Sequence, residues 1–109
     1  VRRIEVHAVN SNGEEVLRTV FSPSDWYENE HPTIDSDDAR RRLGIAIIRG
    51  KRFDRTGHLV LQWRATYASN GEIRELMDWH GDGTMDLRRW TADGADEHIR
   101  LSSWELPPD

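Results

Sequence analysis

HLVLQWRATYASNGEIRELMDWH, residues 58–80, reads as two strands joined at Ser69-Asn70-Gly71. Apolar and polar residues alternate along both arms, the period of a half-buried strand. The length of the turn decides which side chains share a face, because a slip of one residue reverses all of them. A two-residue Asn70-Gly71 turn pairs Ala65 with Leu76 but sets Trp63 opposite Asp78 and Leu61 opposite His80. A three-residue turn, with Gly71 left-handed, pairs Tyr67 with Ile73, Trp63 with Met77 and Leu61 with Trp79. Only Ala65 opposite Glu75 is then awkward, so the three-residue register is preferred.

The same rule carries to the C-terminus. Gly81-Asp82-Gly83 and Asp93-Gly94 punctuate two further strands, 84–91 and 98–106, giving a four-stranded antiparallel meander. Trp79 then pairs with Met85, Met77 with Leu87 and Glu75 with Arg89, and Ile99 and Leu101 extend that face. The expected core face is Leu59, Leu61, Trp63, Ala65, Tyr67, Ile73, Met77, Trp79, Met85, Leu87, Ile99 and Leu101.

Before the meander, residues 2–10 alternate with Ile4, Val6 and Ala8 on one side. Asn12-Gly13 is a strong hairpin signal, and a two-residue turn pairs Ile4 with Phe21, Val6 with Thr19 and Ala8 with Leu17. A loop follows from Ser22 to Thr33, marked by Pro23 and Pro32. Its Trp26 and Tyr27 either fold back over the core or stand out as anchors for a partner. A helix is expected over 35–49, capped by Asp35 or Ser36, with Ala39, Leu43, Ala46 and Ile47 as its apolar stripe and Gly50 as its stop. Residues 50–57 read as a basic connector. The expected fold is therefore α+β, a single domain over 1–109: an N-terminal β-hairpin, one α-helix, then a four-stranded antiparallel meander with the helix packed on one sheet face.

Composition narrows the function classes. The 109 residues carry a formal net charge of −5, and the 15 basic residues are 14 Arg and one Lys. Such an Arg bias fits a high-GC bacterial or phage-like genome. An acidic total disfavours sequence-independent nucleic-acid binding. Without cysteine there is no disulfide, thiolate metal site or Cys nucleophile. No apolar run approaches the ~18 residues of a membrane span, and Val1-Arg2-Arg3 opens without a signal-peptide pattern, so a cytoplasmic protein without membrane contact is expected.

Two clusters carry candidate chemistry. The face opposite the expected core holds Arg64, Arg74, Arg88 and Arg100 with Trp90 and Trp104. Trp and Arg are enriched in interface hot spots, and Arg both stacks on indole and grips carboxylate. As an alternative, such a face is a solvated lattice of cross-strand ion pairs. Asp78, His80 and Asp86 share the same face and form the one cluster suited to acid–base work. His80-Gly81-Asp82, with His98, has the spacing of a metal site, but Asp82 sits in a turn that favours Asp for backbone reasons. No metal or cofactor is expected, nor a nucleophile elbow, dinucleotide fingerprint or phosphate loop.

Three functions follow in order. The first is a non-enzymatic binding or regulatory domain that meets a protein through the Arg/Trp face or the Trp26-Tyr27 loop, like an immunity protein, antitoxin or inhibitor in charge and size. The second is a nucleic-acid or anionic-ligand binder using the same arginines. The third is a small enzyme or ligand-pocket protein built on His80, Asp78 and Asp86. A homodimer through the exposed sheet face is also expected.

Overall fold

A computed structural model of the protein describes residues 3–21 and 36–101. Seven strands and one short helix run in the order β1 (Arg3–Asn10), β2 (Glu15–Phe21), α1 (Asp37–Leu43), β3 (Ile45–Phe53), β4 (Leu59–Tyr67), β5 (Ile73–His80), β6 (Met85–Trp90) and β7 (Asp96–Leu101). All strands join one antiparallel sheet in the spatial order β2-β1-β3-β4-β5-β6-β7. The expected separation into a hairpin, a sheet-packed helix and a four-stranded meander is thus incorrect.

The correction begins at Gly44. Ser36 caps α1 by accepting a hydrogen bond from the Ala39 N–H at 3.1 Å, as expected. After barely two turns Gly44 adopts φ 67°, and its N–H closes back on the Arg40 and Arg41 carbonyls. A left-handed glycine in that position ends a helix. The next residues, Ile45-Ala46-Ile47-Ile48, are rich in β-branched side chains that suit a pleated surface. They open β3, which pairs with β1 on one side and β4 on the other. The apparent helical stripe therefore straddles a helix end, and its Leu43 is exposed.

Gly50, expected to stop a helix, lies inside β3 opposite Trp63. A Cβ on Gly50 would sit 2.1 Å from the Trp63 ring, so the indole lies directly on the bare backbone. The helix itself docks at the β4–β5 turn, away from the sheet faces. Buried Arg40 donates from Nε to the Gly71 carbonyl at 2.8 Å and stacks on the Tyr67 ring at 4.6 Å.

Five hairpins share one turn. In each, a three-residue loop ends in a glycine with φ between 83° and 91°, whose N–H returns to the carbonyl three residues earlier: Gly13 to Asn10, Gly57 to Asp54, Gly71 to Ala68, Gly83 to His80 and Gly94 to Thr91. This is a type I turn followed by a left-handed bulge position, which only glycine fills without strain.

Three of these hairpins carry a second bulge at the same place, with Val16, Val60 and Arg74 each left between paired neighbours. In the first hairpin, turn and bulge together reproduce the expected pairs Ile4–Phe21, Val6–Thr19 and Ala8–Leu17, although the turn has three residues rather than two. In β4–β5 the same combination overturns the expected register. Tyr67 pairs with Ile73 as expected, but beyond Arg74 Ala65 meets Leu76, Trp63 meets Asp78 and Leu61 meets His80. The last two hairpins have no second bulge; Trp79–Met85, Met77–Leu87 and Glu75–Arg89 stand as expected, and Ile99 lies opposite Leu87.

The core consequently divides between the two faces. Ile4, Val6, Ala8, Ile45, Ile48, Leu61 and Trp63 form one buried cluster, joined by Tyr67 and Leu76. Trp79, Met85 and Leu87, with Met77 and Ile99, form another. Alternation from the observed pairs places Trp63 and Trp79 on opposite faces, whereas the single expected core face held both. Leu101, expected in the core, is 46% exposed.

Candidate functional site

The polar part of the first face lies over β5, β6 and β7. Register sets Asp78 opposite Asp86 and Asp86 opposite Arg100, with His80 at the end of β5 and His98 one pleat along β7. All five side chains therefore rise on one side of the sheet. Asp86 is the hub. Arg100 grips it with both arms, Nε to Oδ1 at 2.7 Å and Nη2 to Oδ2 at 2.9 Å. His80 Nε2 lies 2.9 Å from Oδ2, and His98 Nε2 lies 3.3 Å from Oδ1.

The Arg100 guanidinium holds the Asp86 carboxyl well below the usual carboxylate range, and the hydrogen bonds from His80 and His98 add to it. Arg100 is shifted up by the same contact. A carboxylate so engaged is a weak base at neutral pH, and its lone pairs are already occupied. Of the expected cluster, His80 contacts Asp86 and Asp78 lies opposite it in register, while Arg100 and His98 also reach Asp86. Among the described residues no group of three or more His, Cys, Asp or Glu side chains is arranged to hold a metal ion.

His80 also faces an open groove at the end of the sheet. The β3–β4 and β5–β6 turns enclose it, with Asp54, His58, Leu61 and Asp82 in its lining. Gly81 allows the second turn to close down: its N–H donates to the Val60 carbonyl at 3.0 Å, and a Cβ there would stand 2.8 Å from the Leu59 carbonyl oxygen. Asp54 and Asp82 are committed to their turns, Asp54 to the Thr56 hydroxyl at 2.6 Å and Asp82 to the Thr84 hydroxyl at 2.7 Å.

The expected Arg/Trp face is only partly assembled. Arg88 and Arg100 share the first face with Trp90. Arg88 lies over the half-buried Trp90 ring at 4.9 Å and pairs with Asp96 at 3.0 Å. Arg74 occupies the bulge and pairs with Glu72 at 3.2 Å. Arg64 is on the other side of the sheet, where its guanidinium reaches Met77 Sδ at 3.0 Å and lies 5.8 Å from the Trp79 ring. The Arg74 bulge is what separates Arg64 from the rest. Trp104, Trp26 and Tyr27 lie outside the described residues.

Sequence reasoning missed a third feature. On the second face, the pairs Arg18–His7, His7–Arg49 and Arg49–Arg64 form one row across four strands. The basic run from Arg49 to Arg52 was its visible signal, but reading Arg49 as helix and the rest as connector hid the alternation.

No helix among the described residues is long and apolar enough to cross a membrane. Compared with protein-family models, curated proteins and solved structures, the chain finds no match in any of the three.

Proposed function

We propose that the chain is a binding module that acts by protein–protein contact through the Trp90 end of its sheet. The observation that supports this most directly is the half-buried Trp90 ring, fixed by the stacked Arg88 guanidinium, beside an edge strand. Among the described residues β7 pairs only with β6 and forms an edge of the sheet. A partner that adds a strand there gains main-chain hydrogen bonds and covers the indole at the same time. Arg and Trp side by side are the usual composition of an interface hot spot. A second copy of this chain is one partner that fits.

The other two readings draw less support from the same geometry. Arg74, Arg88 and Arg100 each already pair with a carboxylate, on Glu72, Asp96 and Asp86, which a nucleic-acid phosphate would have to displace. The Asp86 carboxylate, spent on four hydrogen bonds, is not poised as a general base.

Trp90→Ala tests the reading. It should cost ~1 kcal/mol or less in urea denaturation, because the ring is only partly buried. It should also abolish recovery of the partner that the wild-type chain retains from its native host, or, for a self-complex, convert dimer to monomer in sedimentation. A Trp90→Ala chain that no longer folds would make the ring a core residue and overturn the reading.

A further inference from the structure

From the second face of the sheet we infer a binding site for a small oxyanion, a phosphate or a carboxylate, centred on Arg49. The inference is independent of the Trp90 reading and concerns the other side of the molecule.

The row Arg18–His7–Arg49–Arg64 sets basic side chains directly opposite one another on consecutive strands. Directly opposed side chains have Cβ atoms about 4.5–5.5 Å apart, and like charges there, as on Arg49 and Arg64, destabilise a sheet. One pleat along, Glu5, Lys51 and Gln62 form the next row. The carboxylates within reach serve the ends of the row or residues outside it, and none serves Arg49. Glu15 pairs with Arg18 at 2.6 Å and lies 3.8 Å from His7. Glu5 pairs with Arg3 at 2.8 Å. Glu75 pairs with Arg89 at 3.3 Å and lies 3.9 Å from Arg64.

Arg49 occupies the middle of the row, and among the described residues no carboxylate pairs with it. The chain has 20 acidic residues against 15 basic ones, so supply is not the reason. Arg49 is half-buried in a groove of about 220 Å³, with His7, Arg18, Lys51, Thr19 and Gln62 around it and Glu5 also in the lining. That volume suits a small anion rather than a polymer. The planar guanidinium offers two parallel N–H donors to an oxyanion, and a partly desolvated site strengthens such charge-assisted bonds. The floor is fixed, because Gly50 is pressed against the Trp63 ring on the far side. A bound oxyanion offsets the opposition of Arg49 and Arg64, so binding and folding stability are linked.

The test is thermal unfolding of the full chain in inorganic phosphate, in citrate and in chloride at matched ionic strength. Phosphate, citrate or both should raise Tm over chloride by about 5 °C at tenfold excess over Kd. A rise in phosphate alone assigns a phosphate ligand; a rise in citrate alone assigns a carboxylate. Arg49→Met should abolish the rise and should itself raise Tm in dilute chloride, since it relieves the opposition. Arg42→Met, on the exposed face of α1, should keep the rise in full. An equal rise in wild type and Arg49→Met would mark a general salt effect and overturn the site, as would no rise in either anion. Should Arg49→Met fail to fold, amide NMR of the wild type decides. Phosphate or citrate should then shift Arg18, Arg49 and Lys51 while leaving Asp86 and Trp90 in place, and shifts confined to other residues would sink the proposal.

Discussion

Strands β1, β3 and β4 bury one face of the sheet, and β5, β6 and β7 bury mainly the other. In the first region Ile4, Ile48 and Trp63 are almost wholly inaccessible, and the reverse side carries Arg18, His7, Arg49 and Arg64. In the second, Trp79, Met85 and Leu87 are buried, and the reverse side carries the Asp86 cluster. β5 belongs to both, with Leu76 packed on the first cluster and Met77 on the second. A continuous hydrogen-bonded sheet can thus exchange its dry and wet sides without breaking its ladder. The exchange occurs where register sets Trp63 opposite Asp78, and the polar side of each region provides one of the two proposed sites.

A double-mutant cycle tests whether the two buried clusters are energetically separate. Trp63→Ala should cost about 3–5 kcal/mol and Met85→Ala about 2 kcal/mol by urea denaturation. If the clusters are separate, the double variant should be additive within ~0.5 kcal/mol. A coupling above ~1 kcal/mol would mean one core rather than two. Next in size, Gly50→Ala should cost about 3 kcal/mol in the same assay, because the Trp63 ring leaves no room for the methyl group. A neutral Gly50→Ala would show that the first region tolerates slack its packing denies.

The smallest of the three concerns the polar side of the second region. Asp86→Asn should cost ~2 kcal/mol near neutral pH, since hydrogen bonds to charged groups are worth ~1.5–3 kcal/mol each but Arg100 is exposed. The Asp86 carboxyl titrates lower in the folded chain than in the unfolded one. Its contribution is therefore complete above the unfolded value near ~4 and is lost as pH falls below it. The wild type should lose stability below about pH 4 more steeply than Asp86→Asn. Parallel acid limbs in pH-dependent urea melts would remove Asp86 from that role.

Turn chemistry made much of the sheet legible in the sequence. Asn12-Gly13, Asn70-Gly71, Asp82-Gly83 and Asp93-Gly94 each mark a real hairpin, and the β5–β6 pairs follow from turn length alone. β3 was hidden because Ala39, Leu43, Ala46 and Ile47 mimic a helical stripe across Gly44, and because Gly50 looks like punctuation where it is a seat for Trp63. The second bulges left no mark, since Val16, Val60 and Arg74 are ordinary strand residues with no glycine or proline among them. One unsignalled residue in β5 was enough to move Arg64 away from Arg88 and Arg100. The Asp86 cluster survived the error because Asp78, His80, Asp86 and Arg100 all lie beyond the bulge.

The strand order has a kinetic consequence. Every neighbouring pair is a hairpin of consecutive strands except β1 with β3. Each hairpin closes a loop of three residues, a small entropic cost that nearby contacts repay at once. The β1–β3 seam must instead bridge all of β2 and α1 before its first contact forms. The run from β3 to β7 can zip from turn to turn, while the seam that completes the Ile4–Ile48–Trp63 cluster carries the long-range closure, and with it the main topological barrier to assembly.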